Sequence, residues 1–240
     1  MSLFFLIAVL AQTAATAPAA NSPATALAPS AHEDVAAPAS PDDARIETAS
    51  KLLGEGKAAE AMALADQVIA ASEQSHPQRN DTVYFSAQSM AETLIYATMA
   101  VAVKKNGVVT NGTWGTAYFL KGFSLIDLNR ADEALPWLEK AVTLSPMNAQ
   151  YLAERAEWYK SRREWKKALI DFESARSGAS VAPDDAKVAW EGRAIRGMAF
   201  VKIEQGKYND AEKLLKEALR LNPGDQRAKT DLAELPSLRR

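Results

Sequence analysis

The sequence predicts an all-α protein, a solenoid of stacked helix pairs that follows a signal segment and a disordered linker. Three observations predict it. After Pro41 the composition changes abruptly, from Ala, Pro, Ser and Thr to Leu, aromatic and charged residues in which helix formers dominate. β-Branched runs with strict apolar/polar alternation are absent beyond that point, so helices are the economical assignment. Finally, small and large residues recur together at a fixed spacing of 34 residues, the mark of a repeat architecture.

Length and composition set the outer limits. The 240 residues are 48% hydrophobic, ample for a packed core. Lys plus Arg number 28 against 30 for Asp plus Glu, a net charge of −2, so no overall field draws the chain toward nucleic acid or an anionic membrane. There is no cysteine, which excludes disulfides, thiol nucleophiles and zinc–thiolate sites and permits an oxidising compartment.

Residues 1–20 read as a signal peptide. Leu3 to Ala11 form an apolar run, followed by Ala15-Thr16-Ala17, an A-x-A cleavage pattern. The run is well short of the ~20 residues of a membrane-spanning helix. No Lys or Arg precedes Arg45, so the usual basic segment is missing. The expectation is a periplasmic or secreted protein without an integral span after cleavage. The alternatives are a membrane tether, if the segment is uncleaved, and a cytoplasmic protein, if the start is misassigned. Residues 21–41, rich in Ala and Pro, hold too little large apolar surface to offset chain entropy and read as a disordered linker.

The solenoid is expected over 42–240. Its clearest part sets Gly122, Leu125, Ala134, Leu138 and Ala141 beside Ala156, Tyr159, Ala168, Phe172 and Ala175, each pair 34 residues apart. The small residues let two helices approach to the ~8–10 Å of close packing, and the large ones fill the seam between them. Pro146 stops the second helix of the first set. A third copy keeps Ala211, Leu215, Ala218 and Pro223, displaced by a nine-residue excess that Ser177 to Asp185 supply as a surface loop. Earlier, Ala49, Leu52, Gly56, Ala61 and Ala65 make a weaker copy, with Gly54 to Lys57 as its turn. From Ala61 to Ala134 is 73 residues, two periods plus five, which predicts a degenerate repeat between them. Thr82 to Lys105 offers a long apolar helical pattern for it, with Asn80-Asp81-Thr82 as its cap and Asn106-Gly107 as its stop. The repeats are thus set at 42–76, 81–112 (degenerate), 115–148, 149–176 and 187–224. A capping helix at 225–235, ended by Pro236, covers the last apolar face.

This pattern resembles the tetratricopeptide repeat family, strongly over 116–176 and 206–223. The resemblance implies a right-handed α-solenoid in which first helices line a concave groove that holds a peptide or partner helix. Carried over position by position, the groove offers Phe119, Phe123, Ile126 and Asp127, then Ala153, Glu157 and Lys160, then Arg193, Arg196 and Phe200. The alternative for the aromatic residues is packing against neighbouring helices. Chaperone-binding members grip a terminal carboxylate with Lys and Asn at positions that here hold Phe119, Phe123, Glu154, Arg193 and Gly197. With one cation among them, a heat-shock-chaperone adaptor is disfavoured.

Signs of chemistry are sparse. His32 lies in the linker and His76 beside Pro77 in a polar, solvated loop, neither with a second ligand at metal spacing. Gly54-Glu55-Gly56-Lys57 lacks the spacing and the Ser or Thr of a phosphate loop. The basic stretch from Lys160 to Lys167 is balanced by Glu154, Glu157 and Glu164, against a nucleic-acid surface. The expectation is therefore a non-catalytic scaffold with a protein or peptide ligand, no cofactor and no metal, with a role in envelope assembly as analogy and self-association into a homo-oligomer as the rival.

Overall fold

The computed structural model describes residues 40–238. The expected signal peptide, and the expected linker up to residue 39, lie outside the described residues. Among the described residues, four helix pairs stack in chain order: α1 (Pro41–Gly54) with α2 (Ala58–Ser75), α4 (Thr113–Asp127) with α5 (Leu135–Leu144), α6 (Ala149–Ser161) with α7 (Trp165–Gly178), and α8 (Asp184–Glu204) with α9 (Tyr208–Leu221). A last helix, α10 (Gln226–Leu238), packs on α9. The expected all-α solenoid is present, with one inserted unit of β1 (Thr82–Ala87), α3 (Met90–Ala102) and β2 (Asn106–Asn111).

The seam has the physical form that its residue volumes dictate. Ala134, Leu138, Ala141, Ala156, Ala168, Phe172 and Ala175 are fully buried. A Cβ on Gly122 would stand 2.9 Å from Leu138 Cδ2 and 3.3 Å from its backbone nitrogen, so only glycine admits this approach of α4 to α5. In the turn after α1, Gly56 takes the left-handed φ of 77° that closes the helix hairpin. Leu144 ends α5 ahead of Pro146 as expected.

The stretch 81–112 is not a repeat. Thr82-Val83-Tyr84-Phe85, read as the start of a long helix, is β-branched and aromatic and forms a strand. The cap of α3 is Ser89 rather than Asn80 to Thr82: its hydroxyl accepts from Glu92 N–H at 3.1 Å, while Glu92 Oε2 accepts from Gln88 N–H at 2.7 Å. The chain then returns as β2, parallel to β1 from Thr82↔Asn106 to Ala87↔Asn111. Gly107 lets α3 cross closely, since a Cβ there would be 2.3 Å from that of Ala100. With the unit set aside, α2 packs directly on α4. The 73-residue spacing is one period plus an insertion, not two periods plus five.

Three smaller expectations also change. Ser177 to Asp185 is no surface loop: α7 runs to Gly178, a 3-10 turn covers Ala179–Val181, and α8 starts at Asp184 and is 21 residues long. Gly178 and Ala179 are small enough to be buried, and a Cβ on Gly178 would lie 2.2 Å from Met147 O. Pro236 falls inside α10 and does not end it, leaving the last turn one backbone hydrogen bond short. His76 is not solvated on both sides. Its Nδ1 is 3.0 Å from Ser72 O, and its ring stacks on Trp114 at 5.3 Å and meets Tyr84 edge-on.

The described chain begins with a capping box. Ser40 Oγ accepts from Asp43 N–H at 3.2 Å and Asp43 Oδ2 accepts from Ser40 N–H at 2.9 Å, with Pro41 as the first helical residue. Asp43 Oδ1 also accepts from Asn111 Nδ2 at 3.1 Å and from the Thr113 hydroxyl, which ties α1 to the end of β2 and the start of α4. The Thr113 bond foremost, then those from Ser40, holds the Asp43 carboxyl below its ordinary 3.8. Because the folded value is lowered, this tie is complete above the ordinary value and is lost as pH falls through the lower one. Amide exchange in α1 should therefore accelerate relative to α6 as pH falls below the ordinary 3.8. Asp43→Ala should abolish that difference, and equal exchange of both helices in the wild type at every pH would refute it.

Candidate functional site

The first helices of the pairs lie along one face, with α1 touching α4 and α6 touching α8. Residues three and four apart on a helix share a side, so each first helix turns one stripe toward this face. From α4 come Phe123, half-buried, and Asp127, exposed. From α6 come Glu154, Glu157 and Lys160, and from α8 Trp190, Arg193 and Phe200.

These side chains are held in a frame of ion pairs. Arg193 Nη2 donates to Glu154 Oε2 at 2.7 Å, with the Glu154 side chain 9% exposed. The same guanidinium lies 5.7 Å from the Trp190 ring centroid. Lys160 pairs with Glu157 and sets its Nζ 4.6 Å over the ring of Phe200, which is 39% exposed. Asp127 has no ion pair among the described residues. Partial desolvation, then the negative charge of Glu154, pushes its carboxyl above the ordinary value. The face therefore offers three accessible rings, a charged frame that is already neutralised, and one carboxylate still without a counter-ion.

Three residues expected on this face belong elsewhere. Phe119 is 2% exposed and stacks on Tyr151 at 4.8 Å, so it is core, the alternative weighed for the aromatic residues. Arg196 pairs with Asp225, which in turn accepts from Ala228 N–H at 3.1 Å and so caps α10. That arginine fastens the last helix to the array. Ala153 is fully buried.

Gln88, which sequence reasoning missed, closes the N-terminal side. Its Nε2 donates to Tyr151 Oη at 2.8 Å and to Thr116 Oγ1 at 3.1 Å, and its Oε1 accepts from Asn148 Nδ2 at 3.0 Å. The inserted unit is thus bonded to both α4 and α6. Beside it opens a cleft of about 430 Å³ whose lining includes Asp43, Ile46, Glu47, Gln88, Asn111 and Thr116. No sequence signal marked Gln88, because its position was read as helix interior. Among the described residues, no group of three or more His, Asp or Glu is placed to hold a metal, and no helix is long and apolar enough to cross a membrane.

A seam of small and large residues, with a face built from successive first helices, defines a helical-repeat solenoid, the class of scaffold that presents side chains from many short elements to one protein partner. Within that class the chain carries tetratricopeptide repeats in two stretches. Tetratricopeptide repeat models match residues 115–148 and 202–235. Among solved structures, pilF of Pseudomonas aeruginosa is similar over 82% of this chain and 68% of its own, with 14% identity and a TM-score of 0.56, a likeness of fold. A tetratricopeptide repeat protein of Parabacteroides merdae matches over 82% of this chain and 73% of its own at 16% identity and a TM-score of 0.36. The first such domain of Spaghetti, bound to an HSP90 peptide, matches 51% of this chain and 90% of its own at 19% identity and a TM-score of 0.44. No curated protein matched the sequence.

Proposed function

We propose that the chain is an exported, non-catalytic scaffold that grips a segment of a partner protein along α4, α6 and α8 and works in assembly at the cell envelope. The observation that carries the binding site is the unneutralised Asp127, on a face that also carries the accessible rings of Phe123 and Phe200 and whose other charges are paired. A partner segment with a basic residue flanked by apolar ones fits that arrangement. It would relieve the Asp127–Glu154 repulsion while its side chains cover the rings. The apolar run and A-x-A pattern near the N-terminus support export.

The test is photo-crosslinking in intact cells with a reactive residue at position 123 or 200, and at exposed Lys213 on α9 as the control. Positions 123 and 200 should capture one partner, position 213 should not, and Asp127→Lys should weaken capture about tenfold or more without lowering the melting temperature. Equal capture from all three positions would remove the groove. Recovery of the crosslinked chain from the cytoplasm alone would remove the export.

A further inference from the structure

The inserted unit leaves two surfaces uncovered among the described residues. On β2, Asn106 N–H donates to Asp81 O at 2.8 Å, so the alternation of a parallel ladder turns the backbone N–H and C=O of Gly107 and Val109 away from β1. Asn106, Gly107 and Val108 are exposed. The other edge of the sheet is covered, for Ser145 Oγ donates to Ser86 O at 2.6 Å. Edge strands are ordinarily protected by Lys, Pro or a bulge, and β2, Asn-Gly-Val-Val-Thr-Asn in unbroken register, has none of these.

The second surface is the outer side of α3. Met90, Leu94 and Val101 are 75%, 64% and 75% exposed and fall in one stripe with Ala97 between them. The one charged residue of this helix, Glu92, is turned inward and is 3% exposed. A helix with no charge on its outer side is the kind that a partner covers.

We propose that this unit pairs with a second copy of the chain about a two-fold axis, β2 against β2 and antiparallel, to make a four-stranded sheet. Two features favour a second copy over a foreign strand. The spacing fits: with strands ~4.8 Å apart and α3 lying over each β1–β2 pair, the two α3 helices come to about 10 Å, the distance of packed helices. The flank of α3 beside β2, where Ala100 meets Gly107, carries Thr93 and Ala97, small enough for that approach. The surface also suits itself, because an isologous contact sets each residue against its own kind and this one holds no charge on strand or helix. Lys104 and Lys105, just past α3, fall at opposite ends of an antiparallel seam. Bonds from Gly107 to Val109 of the partner subunit, and the reverse, set Val108 against Val108 of the partner subunit on the axis.

The seam offers about a dozen residues a side against the roughly 20–30 of a standard interface, so the expected dissociation constant is on the order of micromolar. Sedimentation velocity on the full chain from about 1 to 200 µM should show monomer passing to dimer. Val108 is exposed and lies outside the α3 core, so Val108→Lys and Val108→Glu should each fold with unchanged circular dichroism and stay monomeric at the highest concentration. An equimolar mixture of the two should dimerise again, because unlike charges then meet on the axis. A wild type that stays monomeric overturns the proposal. So does a Val108→Lys variant that dimerises as the wild type does, or a mixture that stays monomeric.

Discussion

Phe172→Ala is expected to destabilise the protein by about 3–5 kcal/mol, the largest single-residue loss in the array. Phe172 is fully buried on α7, among Ala156 and Tyr159 of α6 and Met198 and Val201 of α8. Its ring lies directly over Gly197, where an added Cβ would be 2.3 Å from Cε1. The cavity left by the ring could close only if the helices moved together. They are already at contact through Ala156, Ala168 and Ala199, each fully buried, so little collapse is available and the cost should sit high in the usual range. Urea denaturation followed by circular dichroism measures it, and a loss under about 1 kcal/mol would show that the seam relaxes freely.

The second large effect is electrostatic. Asp171 of α7, 4% exposed, accepts two parallel bonds from Arg155 of α6, Nε to Oδ2 at 2.7 Å and Nη2 to Oδ1 at 2.8 Å. Asp171→Ala strands the guanidinium between two helices, a loss of about 3–5 kcal/mol for a fully buried charge. The Arg155 side chain keeps 19% exposure, so water recovers part of this and the lower end, about 3 kcal/mol, is expected. Arg155→Met with Asp171→Leu should regain most of it, since an apolar pair of similar size needs no counter-ion. If the double variant is no better than the single one, the loss comes from packing and not from the stranded charge.

The regular half of the fold was legible because side-chain volume at a helix crossing leaves little choice. Gly122 against Leu138 and Gly197 against Phe172 are contacts that only one size of residue allows. The insertion was not legible. Tyr84, Phe85, Leu94, Ile95 and Met99 are apolar at spacings that suit a helix or a strand, and a 73-residue gap admits two divisions. Ser89, the true cap, did carry a local signal that Asn80 to Thr82 lack, Glu92 three residues on ahead of an apolar run, and it was passed over because its position was read as helix interior.

The candidate site divides in the same way. Phe123, Asp127, Glu157, Lys160, Arg193 and Phe200 lie on the first helices where the repeat register sets them. Phe119 and Arg196 were misplaced because the repeat register sets a residue on a helix but does not show which side chains, here Tyr151 and Asp225, lie against it. Gln88 could be found only once the strand before it was known.

The short bond between Asp81 and Asn106 bears on how firmly the first helix pair is joined to the rest. Were residues 76–112 a slack tether in place of a short connector like 145–148, closing it would cost about 2 kcal/mol more in chain entropy at the α2–α4 contact. Because the strands are parallel, the insertion is entered at Thr82 and left at Asn111, at opposite ends of the sheet about 17 Å apart, so when folded it is a rigid span of fixed length and not a slack tether. Cohesion at this junction is therefore conditional on the small sheet, and the α5–α6 turn shares that dependence through the bonds of Ser145 to Ser86, Met147 to Tyr96 and Asn148 to Gln88.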